Sequence, residues 1–317
     1  MPADTIWTPD AWHAHSPDTV VWGDNLEVVR SLPSGSFRVI YLDPPFNTGR
    51  TQKHRAVDTI RDPEGAKHGF GGNRYRTVVR TLYGYDDRFE DYWGFLEPRL
   101  AEAWRLLDER GTLYLHLDYR EAHYAKVALD ALFGRECFLN ELIWAYDFGG
   151  KTNKRWPAKH DTILVYVKDP ELYHFDNAEV DREPYMAPGL VTPEKVERGK
   201  LPTDVWWHTI VATGGAERTG YPTQKPEGII RRMVAASSEK GDAVLDMFAG
   251  SGTMGAVARD LERRFLLIDA NLAAVEVMRS RLPHARILET PIETDAADAD
   301  DADDADDIGA SEIAAAI

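Results

Sequence analysis

The chain has 317 residues, 43% of them hydrophobic and 10% aromatic, which suits one large globular domain or a domain with an insertion. A single cysteine, Cys137, excludes an internal disulfide and a multi-cysteine metal site, and no stretch approaches the roughly 18 apolar residues that span a bilayer, so membrane roles are set aside. The formal charge of −16 argues against nucleic acid only until its distribution is read: residues 294–317 hold eight Asp and Glu312 without Lys or Arg, and −16 less those nine charges leaves −7 for the rest.

Residues 1–18 contain Pro2, Pro9 and Pro17 with scattered Trp and His and no period, so no regular structure is assigned there. The absence of a basic-then-apolar leader points to the cytoplasm. Thr19 to Asn25 reads as a short strand ending in a turn, which leaves Asp24 at a strand end; Leu26, Val28, Val29 and Leu32 then suit an amphipathic helix. The apolar run Phe37 to Leu42, rich in β-branched and aromatic residues and stopped by two prolines, is a buried strand that delivers Asp43 into a rigid turn. Proline at 44 and 45 fixes φ and removes two donors, which leaves carbonyls free to accept from a ligand, and Phe46 adds an aromatic face. The set suits a planar base with an exocyclic amino group: the Asp43 carboxylate and the Pro44 carbonyl take its two hydrogens while Phe46 stacks on the ring. An ordinary Asp-Pro turn after a strand is the alternative.

Residues 50–82 read as a long, locally basic, glycine-containing loop. A loop of that length is usually functional or disordered, and Arg50, Lys53, Arg55, Arg74 and Arg76 make it a candidate DNA-contacting loop that orders on binding; a merely solvated insertion is the alternative. From Leu96 the period turns helical, with Leu96, Leu100, Trp104 and Leu107 on one face and Gly111 as the C-terminal cap. A strand from Thr112 to Leu117, a helix from Glu121 to Phe133 and strands near Phe138 to Tyr146 and Asp161 to Lys168 follow, an alternation that implies a mostly parallel sheet covered by helices. Between the last two strands, Gly149 to Pro157 is basic with one aromatic, and Lys151, Lys154 and Arg155 could cradle phosphate; a plain hairpin loop is the alternative. Residues 170–218 lose the pattern and read as an inserted subdomain.

A second chemical centre lies at Ala243 to Phe248, a strand, followed by Ala249-Gly250-Ser251-Gly252-Thr253-Met254-Gly255 bending into a helix. Glycines let the backbone approach a ligand, and a helix start supplies unpaired N–H groups, so a nucleoside-bearing cofactor fits. The next strand, Arg264 to Asp269, ends in an acid 23 residues after Asp246, near the ~20 expected of a carboxylate that grips ribose hydroxyls. The same glycines satisfy G-x-G-x-x-G, which keeps an NAD-dependent oxidoreductase in view; too little chain follows Asp269 for a second mononucleotide half. A circularly permuted sheet instead brings both centres to one carboxyl edge.

These residues resemble the S-adenosyl-L-methionine-dependent amino DNA methyltransferases of the β order, in which the catalytic motif precedes the cofactor motif. The resemblance covers roughly residues 19–283. Asp43-Pro44-Pro45-Phe46 looks like the catalytic tetrapeptide, Phe248-Ala249-Gly250-Ser251-Gly252 like the cofactor loop, and Tyr221-Pro222-Thr223-Gln224-Lys225-Pro226 like the segment that holds the methionine carboxylate. It implies a circularly permuted, Rossmann-like α/β fold with helices on both faces of the sheet. The implied division is a catalytic half at 19–169, a target-recognition insertion at 170–218 and a cofactor half at 219–293; beyond it, the Ala/Asp repeat of 294–317 buries too little apolar surface to offset its ordering entropy and reads as a disordered, solubilising tail.

By the same resemblance Asp269 binds ribose, Asp24 lies by the cofactor adenine, and Thr223, Gln224, Lys225, Asp246, Phe248, Ala249, Gly250, Ser251, Gly252 and Thr253 complete the cofactor site. The stretch Leu42 to Gly49 is closest to modification subunits of type III restriction systems. The implied partner is double-stranded DNA, with a homodimer or a restriction subunit as further partners the family allows. The implied reaction is methyl transfer to adenine N6 in a base swung out of the duplex. Asp at the first position of the tetrapeptide mostly accompanies adenine in this family, and Ser cytosine N4. A non-catalytic DNA-binding subunit is the remaining alternative. No metal is expected: His13, His15, His54, His68 and His208 have no partners at metal-site spacing and read as surface or DNA-facing.

Overall fold

A computed structural model describes residues 6–13, 15–47, 50–61, 67–68, 74–87, 89–149 and 151–291, with backbone alone for 50–61, 67–68 and 74–87. The acidic tail, Thr48 and Gly49 lie outside the described residues.

The described strands are β1 (Thr19–Trp22), β2 (Phe37–Leu42), β3 (Arg50–Arg61), β4 (Lys67–His68), β5 (Arg74–Asp87), β6 (Leu107–Leu117), β7 (Phe138–Ala145), β8 (His160–Val167), β9 (Val205–Trp207), β10 (Ala243–Asp246), β11 (Arg264–Asp269) and β12 (Arg286–Glu289). The α-helices are α1 (Asn25–Arg30), α2 (Tyr92–Leu106), α3 (Ala122–Phe133), α4 (Pro193–Arg198), α5 (Glu227–Ser237), α6 (Thr253–Asp260) and α7 (Leu272–Arg281). Nine strands form one sheet in the order β12-β1-β11-β10-β2-β6-β8-β7-β9, and β3-β5-β4 form a second. In the large sheet only β8 runs antiparallel to its neighbours β6 and β7. The N-terminal strands β1 and β2 flank the C-terminal pair β11 and β10, which is the permuted order expected.

Alternation along the central strands feeds two cores, because successive side chains point to opposite faces. Phe37, Ile40 and Leu42 of β2 join Leu245, Leu266 and Ile268 in a core covered by α1, α2 and α3. Val39 and Tyr41 join Val244, Phe265 and Leu267 in a second core covered by α5, α6 and α7. A run buried on both faces is what a parallel sheet requires, and it explains why β2, β10 and β11 were legible as predominantly apolar segments.

Three expectations change. The stretch 50–82 is not an unstructured loop: its described residues pair as an antiparallel sheet, β3 with β5 over Arg50↔Asp87 to Arg61↔Tyr75. Gly111 does not cap a helix; α2 stops at Leu106 with Leu107 as its C-cap, and Leu107 starts β6 in register with Phe37, so strand pairing overrides the local helical period. The insertion at 170–218 is not wholly separate, since its β9 pairs in parallel with β7 and extends the main sheet. No helix among the described residues is long and apolar enough to cross a membrane.

Candidate active site

Parallel strands β1, β11, β10 and β2 end side by side, and each brings an acid to the same edge: Asp24 just after β1, Asp269, Asp246, and Asp43 just after β2. Ligands of open α/β sheets bind outside this carboxyl edge. A cavity of about 390 Å³ lies there, within the range of small-molecule sites. Of the residues singled out from the sequence, Asp24, Asp43, Pro44, Pro45, Phe46, Thr223, Lys225, Asp246, Phe248, Ala249, Gly250, Ser251, Thr253 and Asp269 line it.

Gln224 and Gly252 do not. Gln224 braces its own turn, accepting from the Thr219 amide and hydroxyl at 2.8 Å each and donating to the Glu217 carbonyl at 2.7 Å. Gly252 caps α6 in the left-handed region at φ 72°, where an added Cβ would stand 2.7 Å from Met278 Cγ. That glycine is needed for the close packing of α6 against α7.

One half of the cavity is built on the glycine loop. Gly250, at φ 50°, donates its amide to Asp269 Oδ2 at 2.7 Å, and Asn271 donates to Oδ1 at 2.8 Å. Burial nevertheless outweighs both donors and pushes the Asp269 carboxyl up to about 6. Asp246 lies at the floor, buried; desolvation drives its carboxyl well above the ordinary range against the Phe248 amide, which donates to it at 3.0 Å, and the charges of Asp43 and Asp269 add to the rise.

Asp24 caps α1 by accepting from the Leu26 amide at 2.8 Å, and its other oxygen takes Arg99 Nη2 at 2.8 Å. Arg99 also donates to Asn25 Oδ1 at 2.6 Å and stands 4.0 Å over the Phe95 ring, while Asn25 donates to the Met247 carbonyl at 2.7 Å. This clamp ties β1, α2 and the end of β10 together around the cavity. Sequence reasoning missed Arg99, although a charged residue three positions after Leu96, on the buried face of α2, was a signal.

The other half is built on the Asp-Pro-Pro-Phe turn. Asp43 Oδ2 pairs with Lys225 Nζ at 2.5 Å, while its Oδ1 is buried with no hydrogen-bond partner among the described residues. The Lys225 ammonium lies 5.0 Å from the centre of the Phe46 ring. Behind this pair runs a polar row across β2, β6 and β8. Burial raises the Tyr41 phenol far above its usual range, with Asp43, Asp246 and Asp161 adding, so it stays protonated; its hydroxyl lies 2.8 Å from His116 Nδ1. His116 Nε2 stands 3.2 Å from Asp161 Oδ2, and Tyr146 donates to Asp161 Oδ1 at 3.0 Å. Burial alone would raise the Asp161 carboxyl, but the contact with His116, the nearby charge of Lys225 and the Tyr146 hydroxyl hold it below its usual value. His116 is fully buried, with its ring 6.0 Å from Phe46. It too was missed; a polar residue inside the apolar run Leu113 to Leu117 was the available signal.

The DNA candidates fall on two other segments. Arg50, Lys53 and Arg55 fall on β3 and Arg74 and Arg76 on β5, a sheet that leaves the chain just after Asn47 and rejoins it just before Phe89, which lines the cavity. Lys151, Lys154 and Arg155 are exposed on the β7–β8 connection, which is a hairpin loop; Arg155 reaches the Tyr119 hydroxyl at 3.4 Å. His13 and His15 are exposed and His208 is half-buried, while the side chains of His54 and His68 lie outside the described residues. No group of three or more His, Cys, Asp or Glu able to hold a metal occurs among the described residues.

Comparison with known proteins agrees with this geometry. Residues 37–280 match a family model described as a DNA methylase, N6/N4. The chain is 29% identical over 272 residues to the DNA adenine methyltransferase YhdJ of Escherichia coli, covering 83% of this chain and 82% of that protein. It is 28% identical over 265 residues to the type II methyltransferase M.HpaI of Haemophilus parainfluenzae, covering 83% and 73%. Among solved structures, PvuII DNA methyltransferase (cytosine-N4-specific) superposes with a TM-score of 0.59 at 14% identity, covering 84% of this chain and 86% of that one. The M1.HpyAVI complex with S-adenosylmethionine does so with 0.53 at 19% identity, covering 83% and 98%. With a match that spans most of its length and a cavity that joins the Asp-Pro-Pro-Phe turn to the glycine loop, the chain belongs to the N6/N4 DNA methylase family.

Proposed function

We propose that the protein is a site-specific DNA methyltransferase that modifies adenine N6 in double-stranded DNA. The observation that carries this reading is Asp43 Oδ1, a buried acceptor without a partner among the described residues, in the same cavity as the glycine loop and Asp269. A buried unpaired carboxylate oxygen is costly unless a ligand completes it.

The residues present fit S-adenosylmethionine. Asp269 offers a carboxylate to ribose hydroxyls, Phe248 and Phe95 offer aromatic walls near Asp24 and Asn25, and the Gly250 turn leaves room for a close approach. When bound, the cofactor would supply a sulfonium-borne methyl: the amino lone pair would bond to its carbon as the C–S bond breaks, the thioether leaves, and the methylated nitrogen, then cationic, would lose one proton to water. The chain's own groups prepare the amino nitrogen. Asp43 Oδ1 and the Pro44 carbonyl draw its two hydrogens, which localises a lone pair otherwise delocalised into the ring, and Phe46 stacks on the extruded base. Stacking of ~1 to 3 kcal/mol per base offsets part of the few kcal/mol spent on extrusion.

The basic residues of β3 and β5 and of the 151–155 loop are the proposed phosphate contacts, and the 170–218 insertion the proposed target reader. The choice of adenine is supported by Asp43 as the first residue of the tetrapeptide and by the adenine-methylating relative from Escherichia coli. Digestion of DNA methylated by the enzyme, followed by mass spectrometry of the nucleosides, should give N6-methyldeoxyadenosine. N4-methyldeoxycytidine alone would overturn the choice of base.

A further inference from the structure

We propose that Lys225 is a positioning residue for Asp43: it ties one carboxylate oxygen and so presents the other, alone, to the target amino group. This rests on the methyl-transfer reading above. It also gives Lys225 a different task from the methionine carboxylate that the family resemblance suggests.

Lys225 Nζ meets Asp43 Oδ2 at 2.5 Å, with both side chains largely shielded, 12% and 15% exposed. A carboxylate with two free oxygens can turn about its terminal torsion and offer either one. With Oδ2 held, the plane of the group is fixed and Oδ1 is the single acceptor left, which is the oxygen that lacks a partner. The lysine is itself held in place. Gln224 braces the turn before it, the Thr253 hydroxyl donates to its carbonyl at 3.1 Å, and Pro226 follows at φ −65° before α5 begins. Its ammonium stands 5.0 Å from the centre of Phe46, so the group that orients the acceptor also flanks the ring on which the base stacks. Two acceptors are needed for two amino hydrogens; the ion pair divides that work into one oxygen from Asp43 and one from Pro44.

The test compares Lys225→Met, which keeps length without charge, with Lys225→Arg, which keeps charge. Cofactor affinity is read by calorimetry without DNA, and methyl transfer by single turnover on polymerase-copied, unmethylated DNA at saturating cofactor. The expected result for Lys225→Met is a transfer rate lowered on the order of 100-fold with a cofactor Kd changed by less than about threefold, since a misplaced reacting group costs rate rather than binding. Lys225→Arg should recover a large part of the rate.

A second readout needs no cofactor. In thermal unfolding of the free protein, Lys225→Met should lower Tm in the Asp43 background and have little effect in the Asp43→Asn background. A Kd that rises tenfold or more with the saturated rate intact would overturn the proposal and assign Lys225 to the cofactor. Equal Tm losses in both backgrounds would overturn it as well. A wild-type protein that binds cofactor yet methylates no DNA would remove the methyl-transfer reading, and the proposal with it, while the Tm cycle would still report the ion pair.

Discussion

The Gly250 amide donates to Asp269 Oδ2 at 2.7 Å across the whole of α6, so the glycine loop and the acidic end of β11 form one unit. Because burial sets the Asp269 carboxyl at about 6 despite this donor and the Asn271 amide, the group changes charge in the mildly acidic range.

That value gives a pH dependence whose sign can be worked out. Below about pH 6 the carboxyl is mostly protonated and has lost acceptor capacity; above it the carboxylate can accept from both ribose hydroxyls. Affinity for S-adenosylmethionine should therefore rise between about pH 5 and pH 7 and level off above. Calorimetry across that range checks it. Asp269→Asn, which does not titrate, should flatten the curve and weaken binding at pH 7.5 by ~1.5 to 3 kcal/mol, the worth of a charge-assisted hydrogen bond.

Asp43→Ala should reduce methyl incorporation from labelled cofactor by at least ~10² to 10³-fold, the usual cost of removing one preorganised transition-state contact. Cofactor binding should persist, because the glycine loop and Asp269 sit on other strands. Parallel measurement of incorporation and of cofactor Kd checks both halves. Lost affinity with intact turnover would contradict the division of the cavity.

His116→Ala should destabilise the fold by about 3 kcal/mol or more, since it strands the Tyr41 hydroxyl and the ionised Asp161 in a buried row. Urea unfolding reads the loss. A change near zero would mean that water enters and satisfies both groups.

Two glycines with positive φ separate backbone strain from packing. At Gly149, φ 108°, an added Cβ meets nothing within 4 Å, whereas at Gly252 it meets Met278 at 2.7 Å. Gly149→Ala should cost about 1 to 2 kcal/mol from the backbone alone. Gly252→Ala should cost about 1 to 3 kcal/mol more, because α7 must shift away from α6. Equal midpoints in urea would show that Met278 yields freely.

Local patterns in the sequence determined the strands that carry the chemistry. β2, β10 and β11 are short apolar runs with firm stops, so Asp43, Asp246 and Asp269 could be placed at strand ends, and the order of their motifs gave the permuted sheet. Where local pattern and long-range pairing disagreed, pairing decided. Leu107 fits a helical period but belongs to β6 because it pairs with Phe37, and the basic, glycine-dotted stretch from Arg50 becomes strand because it finds a partner beginning at Arg74.

The side-chain constellation was hidden for a related reason. Lys225 and Asp43 are 182 residues apart, Arg99 and Asp24 are 75 apart, and Tyr41, His116 and Asp161 come from three strands. Periodicity and capping report the backbone conformation of a few neighbouring residues. Which distant side chains meet depends on strand order and register, and these are set by packing both faces of the sheet at once, so the tertiary structure alone tied one oxygen of Asp43 and left the other open.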